Sequence, residues 1–316
     1  MKKYYKLFLL SVVVPVWASL AHAQAVGISS RYPNDVGIRN DPAVIYATGF
    51  DSPSWLTTDL PAGTRLSYIG GSDLTDRPTW TGTEAFTGAG ALQYLLLAGT
   101  NKPNIMDIIG FSPVDEVYMR WYRKYDPTFR WAFQSAKNNG VYAQNPVSGV
   151  EACVQPTGFD KYSFRVQDQR RNATSGDFYG ALYSYHPDAD NGGCGEWYSQ
   201  NQGGIKYQQP GRWYSYEIYL KANTVGMSNG VIRLWVDGEL RGEITGLRFR
   251  LTDTLKINKV SMYGSSGGYT TPDTQYIWDD NLVLAREYIG PMVTTAPPVP
   301  PDPRPNPPTN LTILVE

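Results

Sequence analysis

The 316-residue chain predicts an all-β fold, a two-sheet antiparallel sandwich of the jelly-roll type. Three observations carry this expectation. The composition favours strands and turns, with 13% aromatic residues and 31 glycines against 18% charged residues. Segments of alternating polar and apolar residues recur along the chain, separated by clusters of Gly, Pro, Asn and Asp. A helical period persists nowhere beyond about two turns, which removes the helical and α/β classes.

The chain opens with Lys2, Lys3 and Lys6, an apolar run over 7–17, and Ala21-His22-Ala23. A basic start, a short apolar stretch and a small-x-small end form the pattern of a secretory signal peptide over 1–23, cleaved after Ala23. The run is too short to cross a bilayer, and no other span candidate follows. The mature protein is therefore expected to be secreted: extracellular, periplasmic or at the cell surface, and without a membrane span. Removing the three lysines from 28 basic residues leaves 25 against 29 acidic ones. No basic tract remains, so nucleic acid is not an expected partner. His186 becomes the single histidine, which excludes a metal site built from several histidines.

Residues 24–50 read as an N-terminal extension, with turns at 32–35 and 40–42 and a short apolar run over 43–47. The core domain is expected over 51–290. In 88–98 the preceding glycines and the short length favour a buried strand over a helix. The stretch 117–124 places Val117, Met119 and Trp121 on one face and Tyr118, Arg120 and Tyr122 on the other. After a turn at Asp126-Pro127, a strand over 129–137 is expected to align Trp131, Phe133, Ser135 and Lys137, and Asn138-Asn139-Gly140 to end it. The strand 161–167 opposes Ser163, Arg165 and Gln167 to Tyr162, Phe164 and Val166. In 179–186, Tyr179, Tyr183 and Tyr185 share one face, and Leu182, Ser184 and His186 the other. Strands over 213–220 and 231–236 follow, the second ending in the hairpin signal Asp237-Gly238. Segments 239–244, 256–262 and 276–284 complete the series. From 291 to 316 the chain turns Pro-rich and reads as a linker or tail in polyproline-like conformation.

Cys153 and Cys194 are the only cysteines. In an oxidising compartment they are expected to pair, stabilising the fold by ~3–4 kcal/mol on the chain-entropy estimate. The loop they close contains the tyrosine strand. A two-cysteine zinc site is the other reading, and it finds no histidine ligand apart from His186. Asp279, Asp280 and Asn281 supply oxygen ligands suited to a structural Ca2+, or equally strand-end hydrogen bonds.

Three successive strands thus each present polar side chains on one face: Lys137; Ser163, Arg165 and Gln167; Tyr183 and Tyr185. An isolated charge is costly to bury, so this face is either exposed or lines a cleft. Arg with Lys suits carboxylates, and a tyrosine beside cations is shifted toward service as a base. Trp131, Trp197 and Tyr198 flank these strands as sugar-stacking candidates.

The segments 210–223, ending in Tyr-Leu-Lys-Ala-Asn223, and 229–238, ending in Leu-Trp-Val-Asp-Gly238, resemble the polysaccharide lyase families 14 and 20, alginate and glucuronan lyases. The likeness continues through Gly246-Leu-Arg-Phe-Arg250, Trp278-Asp-Asp-Asn-Leu282, 117–124 and Ser163-Phe-Arg165, and covers roughly 110–290. It implies a concanavalin-like β-jelly roll and β-elimination on a uronic-acid polymer, needing no organic cofactor. It places the catalytic group on Lys137, Arg165, Tyr183 and Tyr185, and leaves open which tyrosine is the base. Ser163, Gln167, Gln134, Trp131, Trp197 and His186 stand as substrate contacts; by parity His186 faces away from the tyrosines unless the strand bends. The family's Gly-Gly-Lys-Leu-Pro-Gly is here Gln134-Ser-Ala-Lys-Asn-Asn-Gly140, and 170–177 is an insert. The expected partner is an acidic polysaccharide and the expected state a monomer. A non-catalytic carbohydrate-binding or surface-adhesion module on the same fold is the alternative, supported by the altered lysine segment and the Pro-rich tail.

Overall fold

The computed structural model describes residues 26–68, 77–145, 153–266 and 268–294. The expected signal peptide and the Pro-rich stretch from 295 onward lie outside the described residues. Two antiparallel sheets face each other across one core. The first runs in the order β13 (Glu239–Leu247), β12 (Gly230–Val236), β11 (Tyr214–Lys221), β6 (Glu116–Tyr125), β15 (Gln275–Ala285), β4 (Ala91–Leu96) and β3 (Thr79–Thr81), with β1 (Val44–Thr48) also paired to β15. The second runs β10 (Glu196–Tyr198), β9 (Phe178–Tyr185), β8 (Lys161–Arg170), β7 (Ser135–Gln144), β14 (Ile257–Gly264), β5 (Asn104–Val114) and β2 (Arg65–Tyr68).

Strand alternation sets the core. Val117, Met119 and Trp121 of β6 meet Tyr162, Phe164 and Val166 of β8 and Leu182 of β9, all buried in one cluster. These are the faces expected from parity. The hairpin at Asp237-Gly238 also forms, both residues at positive φ. The sandwich begins before residue 51: β1 pairs with β15, and the N–H groups of Ile28 and Ser29 donate to the carbonyls of Tyr288 and Ile289 at 3.0 and 2.9 Å. Buried Arg120, on the outer side of the first sheet, pairs with Asp35 and donates to the Ser29 hydroxyl at 2.7 Å, fixing this segment.

One expected strand is corrected. Residues 129–134 are not in a strand; β7 starts at Ser135 and passes through Asn138-Asn139-Gly140. Those residues form a bulge: Lys137 pairs with Gln167 and Gly140 with Arg165, so β7 spends one extra residue against β8. Tertiary partners overrule the turn signal. The Asn138 amide donates to Asp168 at 2.8 Å, and Asn139 bonds Asp279, Arg123 and the Tyr263 N–H at 2.8–3.0 Å. Both asparagines are wholly buried. Strand β5 carries only a weak sequence signal, because Asp107 is the single polar residue over Ile105–Ile109 and one polar residue does not establish an alternation.

Candidate active site

The outer face of the second sheet, away from the core, carries the polar side chains. A row of paired residues crosses it: Trp197 of β10, Tyr183 of β9, Arg165 of β8, Gly140 of β7 and Ser261 of β14. Tyr185, Ser163, Tyr142 and Lys259 form the next row. Gly140 permits the arrangement, since a Cβ there would collide with the Arg165 side chain and the Phe164 carbonyl.

Arg165 is 5% exposed, yet none of its hydrogen bonds among the described residues goes to a carboxylate. Its guanidinium donates to Gln167 Oε1 at 3.1 and 3.3 Å and to the Tyr142 hydroxyl at 3.5 Å, and lies 4.3 Å from the Tyr183 ring centre. Burial opposes its charge, whereas ionisation of Tyr142, Tyr263 and Tyr183 would favour it and its pKa is raised; as neutral phenols these groups supply no counter-ion. Lys137 Nζ lies 6.0 Å from the Tyr263 ring centre. Burial, reinforced by the Arg165 charge, pushes the Lys137 amine down to about 8. The Ser163 hydroxyl is buried with no hydrogen-bond partner among the described residues, and Gln167 donates to the Ser135 hydroxyl at 3.1 Å.

The two tyrosines are not equivalent. The Gly195 N–H donates to the Tyr183 oxygen at 2.9 Å, and the Tyr183 hydroxyl in turn donates to the Tyr185 oxygen at 3.4 Å. Tyr185 also accepts the Cys153 N–H at 3.4 Å. Burial raises Tyr183, with its bond to Tyr185 adding to this against the Arg165 charge. Burial also works to raise Tyr185, but the Tyr183 hydroxyl, the Cys153 N–H and Arg165 outweigh it and leave its pKa below the usual tyrosine value. Of the pair, Tyr185 is therefore the more readily ionised.

Other expected site residues separate from this group. Trp197 stands beside it, 42% exposed and edge-on to Tyr183 at 5.0 Å. Trp131 does not: its ring packs with Tyr125, Phe129 and Phe178, and its N–H donates to the Gly176 carbonyl at 3.1 Å. Gln134 is exposed in the turn before β7. His186 lies on the opposite face, as parity required, with Nε2 at 3.1 Å from both Glu196 and the Tyr198 hydroxyl; burial lowers its pKa, against the pull of Glu196. Tyr198 is thereby turned from the site face as well. Cys153 and Cys194 are disulfide-bonded, which settles the zinc alternative.

The carboxylates considered for Ca2+ are committed elsewhere. Asp279 is wholly buried against Arg123, Tyr94 and Asn139. Asp280 accepts the N–H groups of Phe86, Thr87 and Asn281 at 2.7–3.2 Å, and burial lifts it to about 8. The Asn281 carbonyl oxygen accepts from Thr87. This donor set does not fit a calcium cage, which needs charged oxygens free to converge.

The sequence reading missed Tyr142, Tyr263, Lys259 and Asp107, which lie on the same face of the second sheet. Lys259 is buried, 3.1 Å from Asp107 and 4.9 Å from the Tyr142 ring centre, and Tyr142 meets Tyr263 hydroxyl to hydroxyl at 3.3 Å. The alternation Lys259-Val-Ser-Met-Tyr263 was signal enough for two of them.

The polysaccharide lyase 14 family model matches residues 112–282, just over half of the chain. Among solved structures, the alginate lyase Aly36B superposes with a TM-score of 0.57 at 19% identity, over 79% of this chain and 96% of that one. The alginate lyase of Aplysia kurodai gives 0.56 at 17% identity, over 76% and 98% of the two chains. The Chlorella virus alginate lyase vAL-1 gives 0.53 at 16%, over 66% and 89%. A search of curated protein sequences finds no match. At these identities the structural likeness establishes the jelly-roll fold.

Proposed function

The chain belongs to the polysaccharide lyase 14 family, and on that premise we propose that it is a secreted enzyme cleaving a uronate-containing polysaccharide, such as alginate or glucuronan, by β-elimination. One observation carries the reading: Arg165 is buried on the outer face of the second sheet with no carboxylate partner among the described residues, beside Lys137 and a polarised tyrosine pair. A buried cation without a counter-ion is a costly arrangement unless a ligand supplies the anion. Aly36B variants have been solved with alginate tri- and tetrasaccharides, which supports a saccharide as that ligand.

The chemistry follows from the side chains. Arg165 and Lys137 neutralise the uronate carboxylate, which acidifies the C5 proton and stabilises the charge that develops when it leaves. Tyr185, as phenolate, takes that proton. The C5–H electron pair forms the C4=C5 double bond as the C4–O bond breaks, and the leaving oxygen takes a proton back from the Tyr183–Tyr185 pair. Trp197 offers a ring to a neighbouring sugar at the edge of the groove. The disulfide supports export to an oxidising compartment.

Incubating the protein with alginate, glucuronan and other polyuronates, and following the ultraviolet absorbance of the unsaturated product, tests the reading. Absence of product on all of them refutes it; glycan binding without turnover would instead identify a carbohydrate-binding module.

A further inference from the structure

We infer that the Cys153–Cys194 disulfide is a positioning device for the tyrosine pair, joining the two chain segments whose backbone N–H groups grip the Tyr183 and Tyr185 hydroxyls. One grip is the Cys153 N–H itself, 3.4 Å from the Tyr185 oxygen. The other belongs to Gly195, the residue after Cys194, 2.9 Å from the Tyr183 oxygen. Cys153 lies in no strand, and Gly195 sits just before β10, whose Glu196 pairs with Ser184 of β9, so the sheet ladder anchors the Gly195 side and not the Cys153 side.

The surrounding contacts make a clamp of these segments. A Cβ on Gly195 would stand 2.6–2.9 Å from atoms of both tyrosine rings, so the backbone lies against the rings themselves and only glycine fits. At Gly193 a Cβ would stand 2.9 Å from the Cys153 carbonyl oxygen, which shows how closely the two segments approach. The Asn191 side chain donates to the Gly195 carbonyl at 3.0 Å, and Gln155 donates to the carbonyls of Pro187 and Ala189 at 2.7 and 3.2 Å. Cys153 holds φ at 57°, a conformation that residues other than glycine adopt rarely and keep only when their surroundings impose it. Among the described residues, the contacts that would still hold the Cys153 segment without the cross-link are the Gln155 hydrogen bonds and the packing against Gly193.

The consequence is chemical. Hydrogen bonds donated to an oxygen favour its charged form. The clamp supplies one N–H to Tyr185 directly and, by occupying Tyr183 as acceptor, aims the Tyr183 proton at Tyr185 as well. The other charged group facing Tyr185 among the described residues is Arg165 of β8, which opening the disulfide leaves in place. The benefit to catalysis rests on the lyase reading above, whereas the effect on the phenol does not.

The test is therefore a titration that needs no substrate. Tyrosine labelled with a heavy carbon isotope at Cζ is followed by NMR against pH, with the Tyr185 signal assigned by its loss in Tyr185→Phe. In the folded Cys153→Ser/Cys194→Ser protein the Tyr185 midpoint should rise by about one pH unit or more, a tenfold smaller phenolate fraction. If that variant does not fold, Gly195→Ala with the disulfide intact should produce the same rise. An unchanged midpoint in whichever variant folds overturns the proposal. If polyuronates are cleaved, the alkaline-favoured limb of the rate profile should move up with the midpoint, and a limb that stays fixed would also overturn it. A raised midpoint in a protein with no lyase activity would refute the function and leave the clamp standing.

Discussion

Replacing Asn139 by alanine should destabilise the fold far more than an exposed turn residue would. Asn139 sits in the β7 bulge, where Tyr263 of β14 has no β7 partner, though it still pairs with Ile105 of β5, and its backbone groups on the β7 side need others. The Asn139 side-chain oxygen accepts the Tyr263 N–H at 2.8 Å and an Arg123 nitrogen at 3.0 Å, and its amide donates to Asp279 at 2.8 Å. A bond between neutral buried groups contributes about 1 kcal/mol net, and one to a charged group about 1.5–3. Because the three bonds share one network with the buried Arg123–Asp279 pair, their losses overlap. We therefore expect Asn139→Ala to cost about 3–5 kcal/mol, against a total of ~5–15 for an ordinary domain. Urea unfolding followed by tryptophan fluorescence measures it. A loss below about 1 kcal/mol would refute the assignment, because alanine cannot replace any of the three bonds. The surviving folded protein should also show reduced turnover, since the bulge sets Lys137 and Tyr142 on the same face.

Three further outcomes are expected. Tyr185→Phe should lower turnover by roughly 10²–10⁴-fold with little change in oligouronate affinity; a variant within about tenfold of wild type would shift the base elsewhere. Arg165→Met should remove anion affinity while leaving thermal stability equal or higher, because it deletes a buried cation that has no acidic partner; a clear fall in Tm would show that its bonds to Gln167 and Tyr142 outweigh its desolvation. Glu217 is buried on the outer side of the first sheet and accepts the Ile289 and Gly290 N–H groups at 2.8 Å, but burial still lifts it from 4.5 to about 7. The folded state then holds its proton more tightly than the unfolded state. Its contribution to stability is full below about pH 4.5 and is lost as pH rises through about 7. Urea midpoints of wild type and Glu217→Gln across that window should converge or cross as pH rises, and a constant difference would contradict the raised value.

Much of the site was legible because strand alternation is local. Ser163, Arg165 and Gln167 share a face with one another, and Tyr183 with Tyr185, for the same reason that Phe164 and Leu182 point into the core. Parity fails where the strand does. Counting back from Lys137 placed Trp131 on the site face, but β7 begins at Ser135 and the residues before it follow a loop into the aromatic end of the core. Counting forward hid Tyr142, because the bulge between Lys137 and Gly140 reverses the alternation and brings an even-numbered residue onto the odd-numbered face.

The sequence by itself determined the all-β sandwich and which residues of β8 and β9 look outward, since each follows from composition or from period-two geometry over a few residues. Only the tertiary structure decided that Asn-Asn-Gly is a bulge and which tyrosine of the pair ionises more readily. Both depend on groups far away in sequence: Arg123, Tyr263 and Asp279 for the bulge, and the amides of Cys153 and Gly195 for the tyrosines. A turn signal or a Tyr-x-Tyr pair records local preference, and hydrogen bonds from distant segments set its outcome once burial removes the competing water.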